Sequence, residues 1–215
     1  NRSHAVAYSM IAYQLAYLKA HYPLYFMAAL MSSIGGNQEK LAQYVREASE
    51  MGITILPPSI HKSGFSFLVE NGSIRFGLDS IKNVGIAAMK EIAKERKKKP
   101  FEDLFDFCIR MSSKAVNRRT IEALIFSGAM DDFGQDRATL LASIDVALEH
   151  AELFKMDEKE QIVFPLDDLA AIKPKYVEVE PFTIEEKLKF EKETLGFYLS
   201  SHPIQPYDSV LKQLG

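Results

Sequence analysis

A six-residue string, Ile81-Lys82-Asn83-Val84-Gly85-Ile86, constrains this chain more than any other part of it. Leu78 and Ile81 lead into the string, and Ala88, Met89 and Ile92 follow it at helical spacing. An apolar seam therefore runs into and out of a tight reversal. The pattern reads as the turn of a helix-hairpin-helix, a module that grips the backbone of nucleic acid. Val84 anchors the turn between the two helices. Gly85 is the position expected to tolerate φ > 0 and to let the backbone approach a phosphate. The second helix begins there, so its free N–H groups and positive dipole end form an anion site beside Lys82. Asn and Gly also suit an ordinary turn between helices, and these six residues leave that alternative open.

Charge is distributed as the nucleic-acid reading requires. The chain carries a formal −3, yet residues 82–119 hold 11 basic and 5 acidic side chains, whereas residues 145–215 hold 8 basic and 15 acidic. The basic block includes Lys94, Arg96, Lys97, Lys98, Lys99, Arg110, Lys114, Arg118 and Arg119. A local positive field suits a polyanion, and the acidic remainder suits protein contacts or solvation. For at least two of Arg96 to Lys99 the plainer reading is a solvated helix end, where cations complement the dipole.

A second hairpin-like unit follows. Lys114-Ala115-Val116-Asn117-Arg118-Arg119 leads into a helix with Ile121, Leu124 and Ile125 on one stripe, and Gly128 suits its end. Asn117, Arg118 and Arg119 sit at the helix start, a poor place for cations unless an anion binds there. Two such units in tandem would contact phosphates without reading sequence.

Elsewhere, periodicity predicts helices over 3–20, 24–33, 38–51 and throughout 78–150. Ala7, Met10, Ile11, Leu15 and Leu18 share one side of the first, and Tyr8, Tyr13 and Tyr17 read as helix-packing residues. Ile53 to Leu56 reads as a short strand. Phe65, Phe67 and Val69, then Ile74 and Phe76, alternate around Asn71-Gly72, which predicts a β-hairpin. Residues 157–182 lack helical periodicity and hold Pro165, Pro174 and Pro181, as an extended linker would. A final amphipathic helix is predicted over 184–199.

Catalytic chemistry is hard to place in this chain. Cys108 has no cysteine partner, and the five histidines show no ligand spacing. No P-loop, zinc motif or nucleophile–base pair is present. Asp131-Asp132 and Asp167-Asp168 read as solvated turn residues. No run of about 18 apolar residues suggests a membrane span, and a cytoplasmic origin is the simplest reading. The first residue is Asn inside a helix-forming stretch, so a piece of a longer chain is expected.

Several longer strings resemble one family. They are Asn1 to Ser9, Tyr17 to Pro23, Ile55-Leu56-Pro57-Pro58, Ile81 to Gly85, Asn117-Arg118-Arg119, Leu124 to Ala129, and Glu193 to Pro203. In this order they resemble the bacterial C-family replicative DNA polymerases, in their shorter branch. The resemblance covers nearly the whole chain and is weakest over 150–182. It implies a mainly α fold with a small β-hairpin, in which a helical fingers segment precedes tandem helix-hairpin-helix units.

The resemblance also implies a division and a set of roles. Residues 1–77 would be the C-terminal part of the fingers, 78–150 the duplex-binding hairpins, 151–183 an extended linker, and 184–215 an amphipathic helix leading onward. Arg2, Ser3 and His4 would face an incoming deoxynucleoside triphosphate. Lys82, Asn83, Val84, Gly85, Lys114, Asn117, Arg118 and Arg119 would hold primer–template duplex. Asn83 stands where the family often has Gly, and Asn tolerates the left-handed region. Gln161, Ile162, Val163 and Phe164 would bind the sliding clamp, although the Gln-to-Phe spacing is one residue shorter than the family's pattern. Mg2+ would belong to palm carboxylates outside this chain, which by itself would be inactive. Two other readings are a helix-hairpin-helix module of a repair or recombination protein and a helical protein-interaction scaffold.

Overall fold

The computed structural model describes residues 2–111, 115–160 and 174–200, with side chains omitted for 155–160. Helix α1 (Arg2–His21) ends in Lys19 and His21, which suit its dipole. Pro23 occupies the first turn of α2 (Pro23–Ser32), where its missing N–H leaves no bond unmade. Asn37 caps α3 (Gln38–Glu50) by accepting from the Lys40 N–H at 3.1 Å. Three short strands follow: β1 (Ile55–Leu56), β2 (Leu68–Glu70) and β3 (Ser73–Arg75).

The expected hairpin is β2–β3, and Asn71 (φ 49°) and Gly72 (φ 78°) supply its turn. The first strand joins the same sheet. It pairs parallel with β3, Ile55 opposite Ile74, so β3 lies in the middle. Ile74 and Phe76 are thereby fully buried.

A 3-10 turn, Leu78–Ser80, leads to α4 (Ile86–Lys98), α5 (Leu104–Arg110) and α6 (Arg118–Phe126). After another 3-10 turn at Asp131–Phe133 come α7 (Arg137–Ala142), α8 (Ile144–Glu160) and α9 (Ile184–Leu195). One apolar core, from Met27 to Phe197, runs through α2, the sheet and the later helices.

Several expectations change. The first hairpin enters through a single 3-10 turn rather than a full helix, and helix α8 continues to Glu160. Helix α9 stops at Leu195, because Gly196 (φ 89°) turns the chain back. It starts at a reciprocal Thr183–Glu186 capping box. It does not stand apart from the preceding helices: Phe190 stacks on Phe126 of α6 with ring centroids 4.2 Å apart. Tyr8, Tyr13 and Tyr17 are exposed, since α1 buries none of its side chains. Its C-terminal end meets α2 and forms the Lys19–Glu47 ion pair with α3, but no further layer of described residues covers it. Among the described residues no helix is long and apolar enough to cross a membrane.

The buried joint of the helical half is ionic. Arg137 makes two bonds to Asp131, at 2.9 and 2.7 Å, and one to Glu191 of α9 at 3.1 Å. Gly128 makes room for it. It ends α6 in a Schellman motif, with the Ala129 N–H bonded to Leu124 O and the Gly128 N–H to Ile125 O. Its φ is 82°, and a β-carbon there would lie 2.3 Å from Arg137 Nη2. Gly128→Ala should therefore lower stability by about 1–3 kcal/mol, measured by urea unfolding. An unchanged midpoint would mean that the joint relaxes freely.

Candidate nucleic-acid interface

The turn at 82–85 is built as its residue types require, with one exchange of roles. The left-handed residue is Asn83, at φ 70°. Gly85 is extended, φ −81° and ψ 163°, and serves as the N-cap of α4. Asn tolerates the left-handed region because its short polar side chain lessens the penalty, so the conformational demand falls there and not on glycine. A β-carbon on Gly85 would meet nothing within 4 Å. The glycine therefore answers no packing need within the described chain and leaves the backbone open from outside.

Val84 and Ile81 are buried and tie the turn to the core, while Lys82, Asn83 and Gly85 are exposed. Helix α4 has no side-chain cap and no acidic residue in its first turn. Its positive end thus faces outward uncompensated by side chains. Ile86 in that turn is 66% exposed, so the tip projects rather than packs.

The second turn is brought against the first. Asn117 caps α6 by accepting from the Thr120 N–H at 3.0 Å. The Thr120 hydroxyl in turn donates to the Asn83 carbonyl at 3.3 Å. Lys82, Asn83 and Arg119 consequently line one groove of about 300 Å³, together with Glu122, Phe126, Glu193 and Thr194. The groove is mixed in sign. Neither Lys82 nor Arg119 forms a side-chain hydrogen bond or ion pair with the described residues.

Several other cations of the basic block are committed to partners within the described chain. Arg118 bonds to Glu122 at 2.8 Å and to Asp145, and both carboxylates hold its guanidinium above its already high ordinary pKa. Arg96 donates to Ile60 O at 3.0 Å, and burial lowers its pKa. Arg110 donates to Glu95 O at 2.6 Å and Lys99 O at 2.8 Å, closing the end of α4. Lys98 and Lys99 pair with Glu95 and Glu102, in accord with a solvated helix end. The pairs Lys98–Glu95, Lys99–Glu102 and Arg118–Glu122 lie three or four residues apart in the sequence, whereas Asp145 of α8 and the Ile60 carbonyl after β1 reach Arg118 and Arg96 only through packing.

Arg2, Ser3 and His4 lie exposed in the first turn of α1 and do not line this groove. Lys114, and Gln161 to Phe164, lie outside the described residues, as do Asp167 and Asp168. Asp131 and Asp132 are not merely solvated. Asp131 holds Arg137, and Asp132 accepts from Ser59 and lies 3.5 Å from His61 Nδ1. The contribution of α9 was not foreseen: its Thr194 carbonyl accepts the Lys82 N–H at 3.0 Å. No local signal in the sequence marks that bond.

The backbone at 83 and 85 yields a paired prediction. Asn83→Ala should destabilise the chain by about 1–2 kcal/mol, the penalty of a left-handed residue with a plain β-carbon. Gly85→Ala should stay within about 0.5 kcal/mol of the parent. Urea unfolding of both variants measures the contrast, and equal losses would contradict the assignment of the strained position.

Known proteins bear on this geometry. Residues 52–140 match the helix-hairpin-helix motif family. DNA polymerase III subunit alpha of Bacillus subtilis (strain 168) is 63% identical over 215 residues, which is all of this chain and 19% of the relative. The subunit of the same name from Halalkalibacterium halodurans is 47% identical, covering 99% of this chain and 19% of the relative. That of Thermus aquaticus is 43% identical, covering 96% and 17%. The chain thus spans under a fifth of the length of these relatives. It belongs to the family of DNA polymerase III alpha subunits, as a segment that includes their helix-hairpin-helix motif.

Proposed function

We propose that this chain is the duplex-binding and nucleotide-facing part of a bacterial replicative DNA polymerase. One observation carries the reading: Lys82 and Arg119 meet in one groove without described partners, beside an uncapped helix start and an open Gly85. Cations, free N–H groups and an unobstructed backbone are what a phosphate requires. Lys82 and Arg119 act as point contacts, while Asn83, Val84 and Gly85 present the backbone. Lys114 and Asn117 would add contacts from the second unit, and Arg118 joins in by exchanging an exposed ion pair for a phosphate. Exposed pairs of this kind contribute about 0–1 kcal/mol, so the exchange is inexpensive. None of these contacts reads a base edge, and binding should be indifferent to sequence.

The rest of the reading follows the same division. Residues 1–77 present Arg2, Ser3 and His4 to the incoming deoxynucleoside triphosphate, and 78–150 hold the duplex. Residues 151–183 carry the clamp-binding Gln161 to Phe164, and 184–215 lead onward. Mg2+ would serve phosphoryl transfer in the whole enzyme. Among the described residues no group of three or more His, Cys, Asp or Glu is placed to hold a metal. Asp131 and Asp132 are already engaged by Arg137, Ser59 and His61. The side chains described here therefore do not fit that ion, and its ligands would come from the palm.

Duplex titration at several salt concentrations tests the central claim. Lys82→Ala and Arg119→Ala should weaken binding to every sequence alike, each lowering the salt slope by about 0.9. Arg118→Ala should have a smaller effect. Equal affinities for parent, K82A and R119A would refute the interface. The chain alone should incorporate no nucleotide on a primed template.

Two further contacts are testable in the intact parent polymerase. Arg2→Ala should raise KM for nucleotide, or lower kcat if the contact forms only in the transition state. His4→Ala should alter discrimination between deoxy- and ribonucleotides. Replacing Gln161 and Phe164 together should abolish clamp association and spare DNA binding. Parent-like kinetics in the first two variants, or retained clamp in the third, would remove those assignments.

A further inference from the structure

The deepest carboxylate of the helical half lies far from the groove in sequence but close to it through α9. Glu191 is 0% exposed. Four donors converge on it: Arg137 Nη1 at 3.1 Å, the Ser200 hydroxyl, and the N–H groups of Leu199 at 3.0 Å and Ser200 at 2.9 Å. A carboxylate is acceptor-only and satisfies such a ring. Gly196 makes the ring possible by turning the chain so that residues 199 and 200 double back onto α9.

The other end of the link is the hairpin. Thr194 lies one turn beyond Glu191, and its carbonyl is among those that a helix C-terminus leaves without an intrahelical partner. The Lys82 N–H fills that vacancy at 3.0 Å. Lys82 is the cation at the head of the turn, and Thr194 and Glu193 line the same groove. Arg137 completes the circuit, since it also bonds Asp131 and Phe126 O at the end of α6, the helix that carries Arg119.

We propose that Glu191 is a positioning residue for the duplex-binding turn: it fixes α9 against α6 and α7 so that the Thr194 carbonyl holds the Lys82 backbone in place. This rests on the duplex-binding reading above. Without the Glu191 ring, α9 is free to shift on α6, and the turn loses the acceptor that sets its approach to a phosphate.

The test uses Glu191→Gln, and Arg137→Lys as a second variant that keeps the charge but loses the planar fork. In the first, an amide must turn its NH2 toward two of the four donors, because each carboxylate oxygen accepts two of them. Two readouts separate positioning from general stability. One is amide hydrogen exchange at Lys82, compared with Ile74, whose N–H bonds Thr54 O in the sheet. The other is duplex affinity at fixed salt, with Lys82→Ala in parallel. Exchange at Lys82 should accelerate while Ile74 keeps its protection, and Kd should rise about tenfold for any duplex, equivalent to about 1.4 kcal/mol. Unchanged Lys82 exchange in both folded variants overturns the link. Faster exchange with unchanged affinity, where K82A does weaken binding, overturns its role in DNA binding. If K82A has no effect, the duplex reading fails first and the functional half of this proposal with it, whereas the exchange data still decide whether Glu191 holds the turn.

Discussion

The Arg137–Glu191 bond is the constraint on which the helical half depends. It joins α9 to the start of α7, and through Asp131 to the turn after α6, and it does so inside the protein. Desolvating two charges is unfavourable, and a buried pair is tolerated only when its remaining donors and acceptors are also matched. Here they are: Asp131 takes the other edge of the guanidinium, and Leu199 and Ser200 occupy the second oxygen of Glu191. Gly128 leaves the space that the guanidinium fills. Apolar packing adds to the same joint, with Phe190 between Phe126 and Phe182.

From that joint the groove follows. With α9 docked on α6, the Thr194 carbonyl reaches the first turn, and the Thr120 hydroxyl ties the second turn to the first. Neither bond is strong by itself, since a neutral hydrogen bond contributes about 1 kcal/mol net. Their value is geometric, because they hold two cations of different turns at one surface. The same groove carries Glu122 and Glu193. Binding of a polyanion there would rest on backbone N–H groups as much as on net charge, which fits the modest positive excess of the region.

The opposite end of the chain illustrates what packing supplies. Helix α1 has apolar and aromatic residues along its length, yet none is buried. An isolated helix draws little stability from its own hydrogen bonds and depends on tertiary contacts. Relatives align with this chain over less than a fifth of their own length. A helix rich in apolar residues that the described residues leave uncovered over most of its length is consistent with a segment whose surroundings belong to a larger protein.

By itself the sequence determined the local elements: the helix stripes, the Asn71-Gly72 hairpin, the buried Val84 anchor and the reversal at 82–85. These rest on interactions within a few residues, so spacing and turn chemistry suffice to reveal them. It also marked the basic block and a series of strings shared with one polymerase family. Tertiary structure alone decided the rest. Asn83, not Gly85, took the left-handed conformation, in a turn held from outside by bonds to Thr120 and Thr194. The strand at Ile55 joined the hairpin in parallel, a pairing that periodicity does not encode. Asp131 and Asp132 became anchors once Arg137, Ser59 and His61 reached them. Arg96, Arg110 and Arg118 were committed while Lys82 and Arg119 were left available. Most of these outcomes depend on groups distant in sequence, such as Asp145 for Arg118 and Ser59 for Asp132, which only packing brings within hydrogen-bonding range.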